Sequence, residues 1–424
     1  MFKLLDKKLL AVLAALLAVL MLAGCGKDDK PADMPDEPVQ TPVDVPVDDP
    51  VDETLTDVAD PKVAEMIKAG VLVGDFSYID MGSQAKSTVP YTEMYQIDED
   101  KLFLVQEHFS YASDILLTVY NMKTGEVERQ TTVPISDFIN TEIYDDKIIL
   151  KDEKEFYWLP LDLQKPAECV ALPQVMFEGE SEYTPSYTVS SDLQHIVYSS
   201  SELGMNWYDR RTGELRQMLM PYTAPYSYIE DFNWWSSPYG LSFLTGDRQV
   251  MFMVAGVDVA NGLWVVDMQG QRDWLVTSED LGDIWYMAYD INWSAEKFAA
   301  QPVTKTERVT KDGQTYAQSY VRMIDVRNSE LTEWAKVDFP VETFITAFND
   351  DYFTFNIQYD THTDLMLVDK ATLTPKKVLT VDNCFVEADG ITEDGRVLFV
   401  CTPTIDSEFF EQDFTFTGLT AAAE

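Results

Sequence analysis

Apolar and polar residues alternate in short runs along most of this chain, and two such patterns recur. In the first, three or four alternating apolar residues lead into Asp or Asn, then a polar turn, then a second apolar strand. Its copies are "LTVYNMKTGEVERQTT" from Leu117, "FYWLPLDLQKPAECVAL" from Phe156 and "MNWYDRRTGELRQML" from Met205, followed by "LWVVDMQGQRDWLV" from Leu263, "VRMIDVRNSELTEWAKV" from Val321 and "LMLVDKATLTPKKVL" from Leu365. The Asp/Asn positions are Asn121, Asp162, Asp209, Asp267, Asp325 and Asp369, at intervals of 41 to 58 residues. A short carboxylate or amide side chain at such a position accepts from the N–H groups of its own turn, while Gly125 and Gly213 provide positive φ.

The second pattern is a strand, a tight polar turn and another strand, and it sits between copies of the first. It reads "YQIDEDKLFLVQE" from Tyr95, "TEIYDDKIILKDE" from Thr141, "VSSDLQHIVYSSS" from Val189 and "FLTGDRQVMFMVA" from Phe243. "INWSAEKFAAQPV" from Ile291, "TAFNDDYFTFNIQ" from Thr346 and "ITEDGRVLFVCTP" from Ile391 continue it. Alternation of the two gives four strands per unit of roughly 45 to 55 residues, the repeat of a β-propeller blade. The units resemble TolB and YVTN-type, WD40-like propeller repeats, in which a Ser-Pro-Asp-Gly-like turn precedes the second strand. "ITEDGRVLFV" is the closest copy, whereas "YDDKIIL" and "SAEKFAA" lack the glycine. The resemblance implies a fold and no particular activity.

The expected architecture is all-β, a propeller of seven four-stranded blades, with six and eight as alternatives. Seven copies of one hairpin against six of the other leave the last blade, from Ile391 onward, to be completed from elsewhere. "VLVGDFSYIDM" (Val71 to Met81) offers closure from the N-terminal side and "EQDFTFTGL" (Glu411 to Leu419) from the C-terminal side, hiding the sheet's exposed edges. One short helix is expected over Asp60 to Gly70, with Asp60 as N-cap, Pro61 at the first position and Gly70 as the stop.

Residues 1–24 read differently. Lys3, Lys7 and Lys8 precede an unbroken apolar run, Leu9 to Ala23, that is shorter than the ~20 residues of a bilayer-spanning helix. Small residues end it, as in a secretory signal. "LAGC" (Leu22 to Cys25) resembles the bacterial lipobox, which implies cleavage before Cys25, lipid on its thiol and on the new amino terminus, and attachment at the extracytoplasmic face of a bacterial membrane, on the cell surface or in the envelope. Residues 25–60 form an acidic, proline-rich spacer without aromatics, which cannot bury enough apolar surface to order itself. Residues 61–424 are the expected propeller domain.

The formal charge is −42, and removal of three lysines and one aspartate with residues 1–24 makes it −44. Nucleic acid and other polyanions are repelled by such a molecule, whereas cationic ligands are compatible with it. Beyond Cys25 stand Cys169, Cys384 and Cys401, an odd number that excludes a complete disulfide framework. They read as small buried hydrophobes, with a Cys384–Cys401 bridge as the alternative. His108, His195 and His362 have no partner histidine at ligand spacing, so no metal and no cofactor is expected. His108 and His362 read as solvent-facing loop residues. H-E-x-x-H, G-x-S-x-G and phosphate-cradling glycine loops are absent. "TEDGR" (Thr392 to Arg396) and "TKDGQ" (Thr310 to Gln314) lack the alternating oxygen ligands of calcium loops and read as turns.

The rhythm breaks at "PYTAPYSYIEDFNWWSSPYG", Pro221 to Gly240, where Tyr222, Tyr226, Tyr228, Phe232, Trp234, Trp235 and Tyr239 make a candidate ligand-binding loop. It breaks again at "TKTERVTKDGQTYAQS" (Thr304 to Ser319), a protruding polar hairpin that reads either as an interaction arm or as ordinary surface. Two functions fit. One is a membrane-anchored, non-catalytic propeller binding a protein, peptide or glycan. The other is a propeller enzyme of glycan hydrolase or lyase type, using carboxylates that converge near the axis.

Overall fold

The computed structural model describes residues 61–79, 91–107, 114–135, 138–177, 186–200, 204–219, 239–244, 246–254, 262–282, 300–311, 314–340, 345–359, 361–382, 384–403 and 416–423. Within them the chain forms seven antiparallel sheets arranged as the blades of a propeller. Blade 1 runs in chain order through Tyr91–Asp98, Lys101–Glu107, Asp114–Asn121 and Glu126–Pro134. Blade 2 is Phe138–Ile143, Lys147–Asp152, Glu155–Pro160 and Glu168–Ala171, and blade 3 is Tyr187–Val189, His195–Ser200, Gly204–Asp209 and Leu215–Leu219. Blade 4 is Tyr239–Phe243, Gln249–Val254, Gly262–Asp267 and Arg272–Thr277. Blade 5 has two long strands, Gln301–Lys311 and Gln314–Asp325, the second flanked by Glu330–Leu331 and Ala335–Val337. Blade 6 is Ile345–Phe348, Tyr352–Gln358, His362–Asp369 and Thr374–Asp382. The first strands of neighbouring blades touch, Cys384–Ile391 of blade 7 meeting Tyr91–Asp98 of blade 1, so the first strands stand innermost.

Blade 7 is built from both ends of the domain. Cys384–Ile391 and Val397–Pro403 are followed by Phe416–Thr420 as third strand, and Phe76–Tyr78 supplies the outermost one, pairing Phe76 with Thr420. Both expected closing segments are therefore used, one per strand. Leu72–Gly74 goes further and adds a fifth strand to blade 6, against Thr374–Asp382. The helix before it, Pro61–Lys68, ends with Gly70 at φ +74° as the stop. Its buried Met66 joins Leu72, Phe76, Leu365 and Phe399 in the core shared by blades 6 and 7.

The local reason for the hairpins is visible in all six repeat positions. Asn121 Oδ1 accepts from the N–H of Lys123 and Thr124. Asp162 takes Gln164, Asp209 takes Arg211 and Thr212, Asp267 takes Gln269 and Gln271, Asp325 takes Asn328, and Asp369 takes Ala371 and Thr372. Gly125 and Gly213 hold φ of +71° and +73°. Between blades, alternating apolar side chains form separate clusters, as with Tyr95, Phe103, Ile115, Ile148 and Leu159 between blades 1 and 2. Trp207 belongs to such a seam, packed near Phe252 and Val266 with the Arg216 guanidinium 4.7 Å from its ring centre.

The cysteines depart from expectation. Cys169 is free and exposed because its four-residue strand is the outer edge of blade 2. Cys401 is buried and disulfide-bonded, so it is not a simple thiol hydrophobe. The register pairs Cys401 with Val386 and Cys384 with Pro403, which sets the two cysteine backbones on adjacent strands, two pairs apart.

Candidate functional site

Several buried polar residues of the first and second strands bridge one blade to the next. Glu93 of blade 1 accepts from the Tyr95 hydroxyl at 2.6 Å and from the Thr141 hydroxyl of blade 2. Glu142 of blade 2 accepts from Lys151 Nζ at 2.8 Å and from the Val189 N–H of blade 3 at 3.1 Å. Lys151 also donates to the Tyr187 carbonyl at 2.8 Å, and both members of this ion pair are about 5% exposed or less. Thr188 Oγ1 accepts from the Phe243 N–H of blade 4 at 3.2 Å, and Asn356 of blade 6 donates to the Val386 carbonyl of blade 7. These bonds satisfy polar groups that the ring closure removes from bulk water.

The seam between blades 7 and 1 is different. Register in blade 7 shifts between Ala388 and Gly390, leaving Asp389 as the extra residue of a β-bulge. Bulges re-aim a side chain and recur beside functional sites. Gly390 is required by the close approach of the seam: a Cβ there would lie 2.6 Å from Met94 Cε and 2.8 Å from Met94 Cβ. Asp389 keeps partial exposure, yet its Oδ2 is sealed and has no hydrogen-bond partner. It is the single carboxylate oxygen in that condition among the described residues. Burial, then the negative charges of Glu387 and Glu93, hold its pKa well above the ordinary aspartate value. Glu387 is exposed on the same strand. The arrangement is a carboxyl that favours the neutral form beside two further carboxylates, one of them fixed by two hydroxyls. Groups of one type with environments pushed apart are the equipment of proton donation and of binding a hydrogen-bond donor or cation.

The residues singled out from sequence fall elsewhere. Cys25, His108, Tyr222, Tyr226, Tyr228, Phe232, Trp234 and Trp235 lie outside the described residues. Tyr239 begins the innermost strand of blade 4. His362 opens a strand of blade 6, half-buried, stacked on Tyr359 at 4.4 Å and 3.1 Å from the Thr361 hydroxyl, so it is a packed residue and not a free loop histidine. His195 stacks on Trp207 at 5.0 Å within blade 3. Among the described residues no three of His, Cys, Asp and Glu gather as metal ligands.

No family model matches this chain. No curated protein matches it either. Many solved structures show a distant similarity to it, two oligogalacturonate lyases among them. An oligogalacturonate lyase in complex with manganese has a TM-score of 0.43 and 13% identity, over 83% of this chain and 91% of that one. The oligogalacturonate lyase of Vibrio parahaemolyticus has a TM-score of 0.43 and 13% identity, over 82% of this chain and 97% of that one. A likeness this distant carries nothing to the chemistry here.

Proposed function

We propose that the chain is a lipid-anchored, extracytoplasmic propeller that binds a cationic ligand at the seam of blades 7 and 1: a basic peptide segment or an amine-bearing glycan. The observation that carries the reading is the sealed, unpartnered Oδ2 of Asp389 beside Glu93 and Glu387. An ammonium group would meet the exposed Glu387 and the partly exposed Asp389, and its charge would offset the repulsion that Glu387 and Glu93 exert on Asp389. The chain's charge of −42 adds long-range attraction for such a ligand. Anchoring through Cys25 would hold this receptor at the membrane surface.

Calorimetric titration of the full chain in detergent tests the reading, with a chitosan oligomer, its fully N-acetylated counterpart and oligolysine as probes. The expected result is binding of the amine-bearing probes only, weakened about tenfold or more in Asp389→Asn, the size of effect of losing one buried charged hydrogen bond. Equal binding of the acetylated oligomer, or full affinity in Asp389→Asn, overturns it.

The enzyme reading is favoured by one feature of the same site. A neutral carboxyl beside ionised carboxylates is the pairing a glycan hydrolase uses for general acid catalysis. Chromatography of the same mixtures distinguishes the two: shortened oligomers, absent with Asp389→Asn, mark catalysis, and intact ligand marks binding.

A further inference from the structure

The long hairpin of blade 5 lies on a different blade from the seam of blades 7 and 1. Its strands pair continuously from Gln301 opposite Ile324 to Lys311 opposite Gln314, with no break in register. The neighbouring strands stop early: Ala335–Val337 pairs only with Ser319–Val321, and Glu330–Leu331 only with Ile324–Asp325. Residues Glu307–Lys311 and Gln314–Gln318 therefore extend past the blade, with backbone ladders only to each other among the described residues.

The root of this arm is fixed. Trp334 is clasped between Lys305, 4.7 Å from its ring centre, and Arg322, 4.8 Å away. Arg322 also donates to Asp280 at 2.8 Å and to the Thr332 carbonyl at 3.0 Å. Gln318 donates to the Val337 carbonyl at 3.0 Å. A rigid root means that little ordering entropy is lost when the arm docks.

The tip is not covered. Val309 and Tyr316 face each other directly across the ladder and are 40% and 51% exposed. Arg308 and Lys311 beside them are exposed, whereas Lys305 is already paired with Glu307 at 2.7 Å. Thr304 to Ser319 carries three cations against two carboxylates, in a chain whose net charge is −42. Five residues of overhang at ~3.4 Å each extend the arm roughly 17 Å, about two Debye lengths at physiological salt. At that distance an acidic partner meets the arm's cations while the repulsion of the body is screened.

We infer that the arm of blade 5 docks an extended acidic segment of a partner protein by β-strand addition. The open strand edges supply the backbone hydrogen bonds, Arg308 and Lys311 select acidic side chains, and Val309 with Tyr316 cover the apolar ones. The arm of a second copy is disfavoured as occupant because it would bring the same cations, Arg308 and Lys311, against these.

Fluorescence anisotropy with the full chain tests this, using a labelled peptide of alternating valine and aspartate. Comparison probes are the same peptide with lysine for aspartate and one with alternate backbone nitrogens methylated. The aspartate peptide is expected to bind and the other two not to. Arg308→Glu with Lys311→Glu, and separately Val309→Thr with Tyr316→Thr, are expected to lower affinity about tenfold or more while the melting temperature stays unchanged. The inference is overturned if the lysine peptide binds equally, if backbone methylation has no effect, or if neither double variant loses affinity. Sedimentation velocity showing a dimer that the charge-reversed variant abolishes also overturns it, by giving the arm to a second copy.

Discussion

Asp389 imposes a cost on the fold that a neutral residue of the same shape would not. One of its oxygens is sealed and unpartnered, and Glu387 and Glu93 oppose its ionisation. Because the folded-state pKa is raised, the native protein holds a proton that the unfolded chain has released above the ordinary aspartate value near 3.9. Stability from this group is complete at acid pH and is lost as pH rises through the folded pKa. Asp389→Asn removes that dependence and places amide donors beside Glu93 and Glu387. The variant should be more stable than the native protein by about 1 kcal/mol near neutrality, the usual size of relief at a site kept for function. Thermal melts at pH 5 and pH 8 check it: the variant's advantage should grow at the higher pH. A loss of stability at both values would mean that the carboxyl is structural.

Hairpins and seams explain why some elements could be read from the sequence and others not. The Asp or Asn at each outer hairpin acts within two to four residues of itself, as the bonds that Asp209 accepts from the N–H groups of Arg211 and Thr212 show, so its signature is local. The seam site joins Glu93 to Asp389 from opposite ends of the domain's sequence, and in a chain with 73 acidic residues no single carboxylate stands out. The one sequence signal was Gly390 interrupting an apolar strand in "VEADGITEDG", the mark of a bulge or a close backbone approach. Seam chemistry is nonetheless measurable. Lys151 satisfies Glu142 and the Tyr187 carbonyl from a fully buried position between blades 2 and 3. Lys151→Met should cost about 3 to 5 kcal/mol by stranding the Glu142 charge, and Glu142→Leu added to it should recover much of that loss. Urea unfolding of the two variants gives the answer, and a double variant no better than the single one would show that the pair acts through packing alone.

At the scale of the whole molecule, the ring is closed by strands from both ends of the domain, which meet in blade 7. Phe76–Tyr78 is the outermost strand of blade 7, and Phe76, 5% exposed, meets the Phe399 ring edge-on at 5.6 Å. Leu72–Gly74 carries the same stretch of chain onto blade 6, so one N-terminal segment ties the two blades. Phe76→Ala should lower unfolding free energy by about 3 kcal/mol or more, as for other large buried rings. The loss should not be uniform. Closure fails first at the edge it secures, so hydrogen exchange should speed in Phe416–Thr420 and Val397–Pro403 before it changes in blade 3. A ligand held at Asp389, one strand further in, would oppose that opening by mass action and restore protection to those strands. Exchange that rises equally in blades 3 and 7 would instead mean that the ring opens as one unit, with the N-terminal strand adding only to global stability.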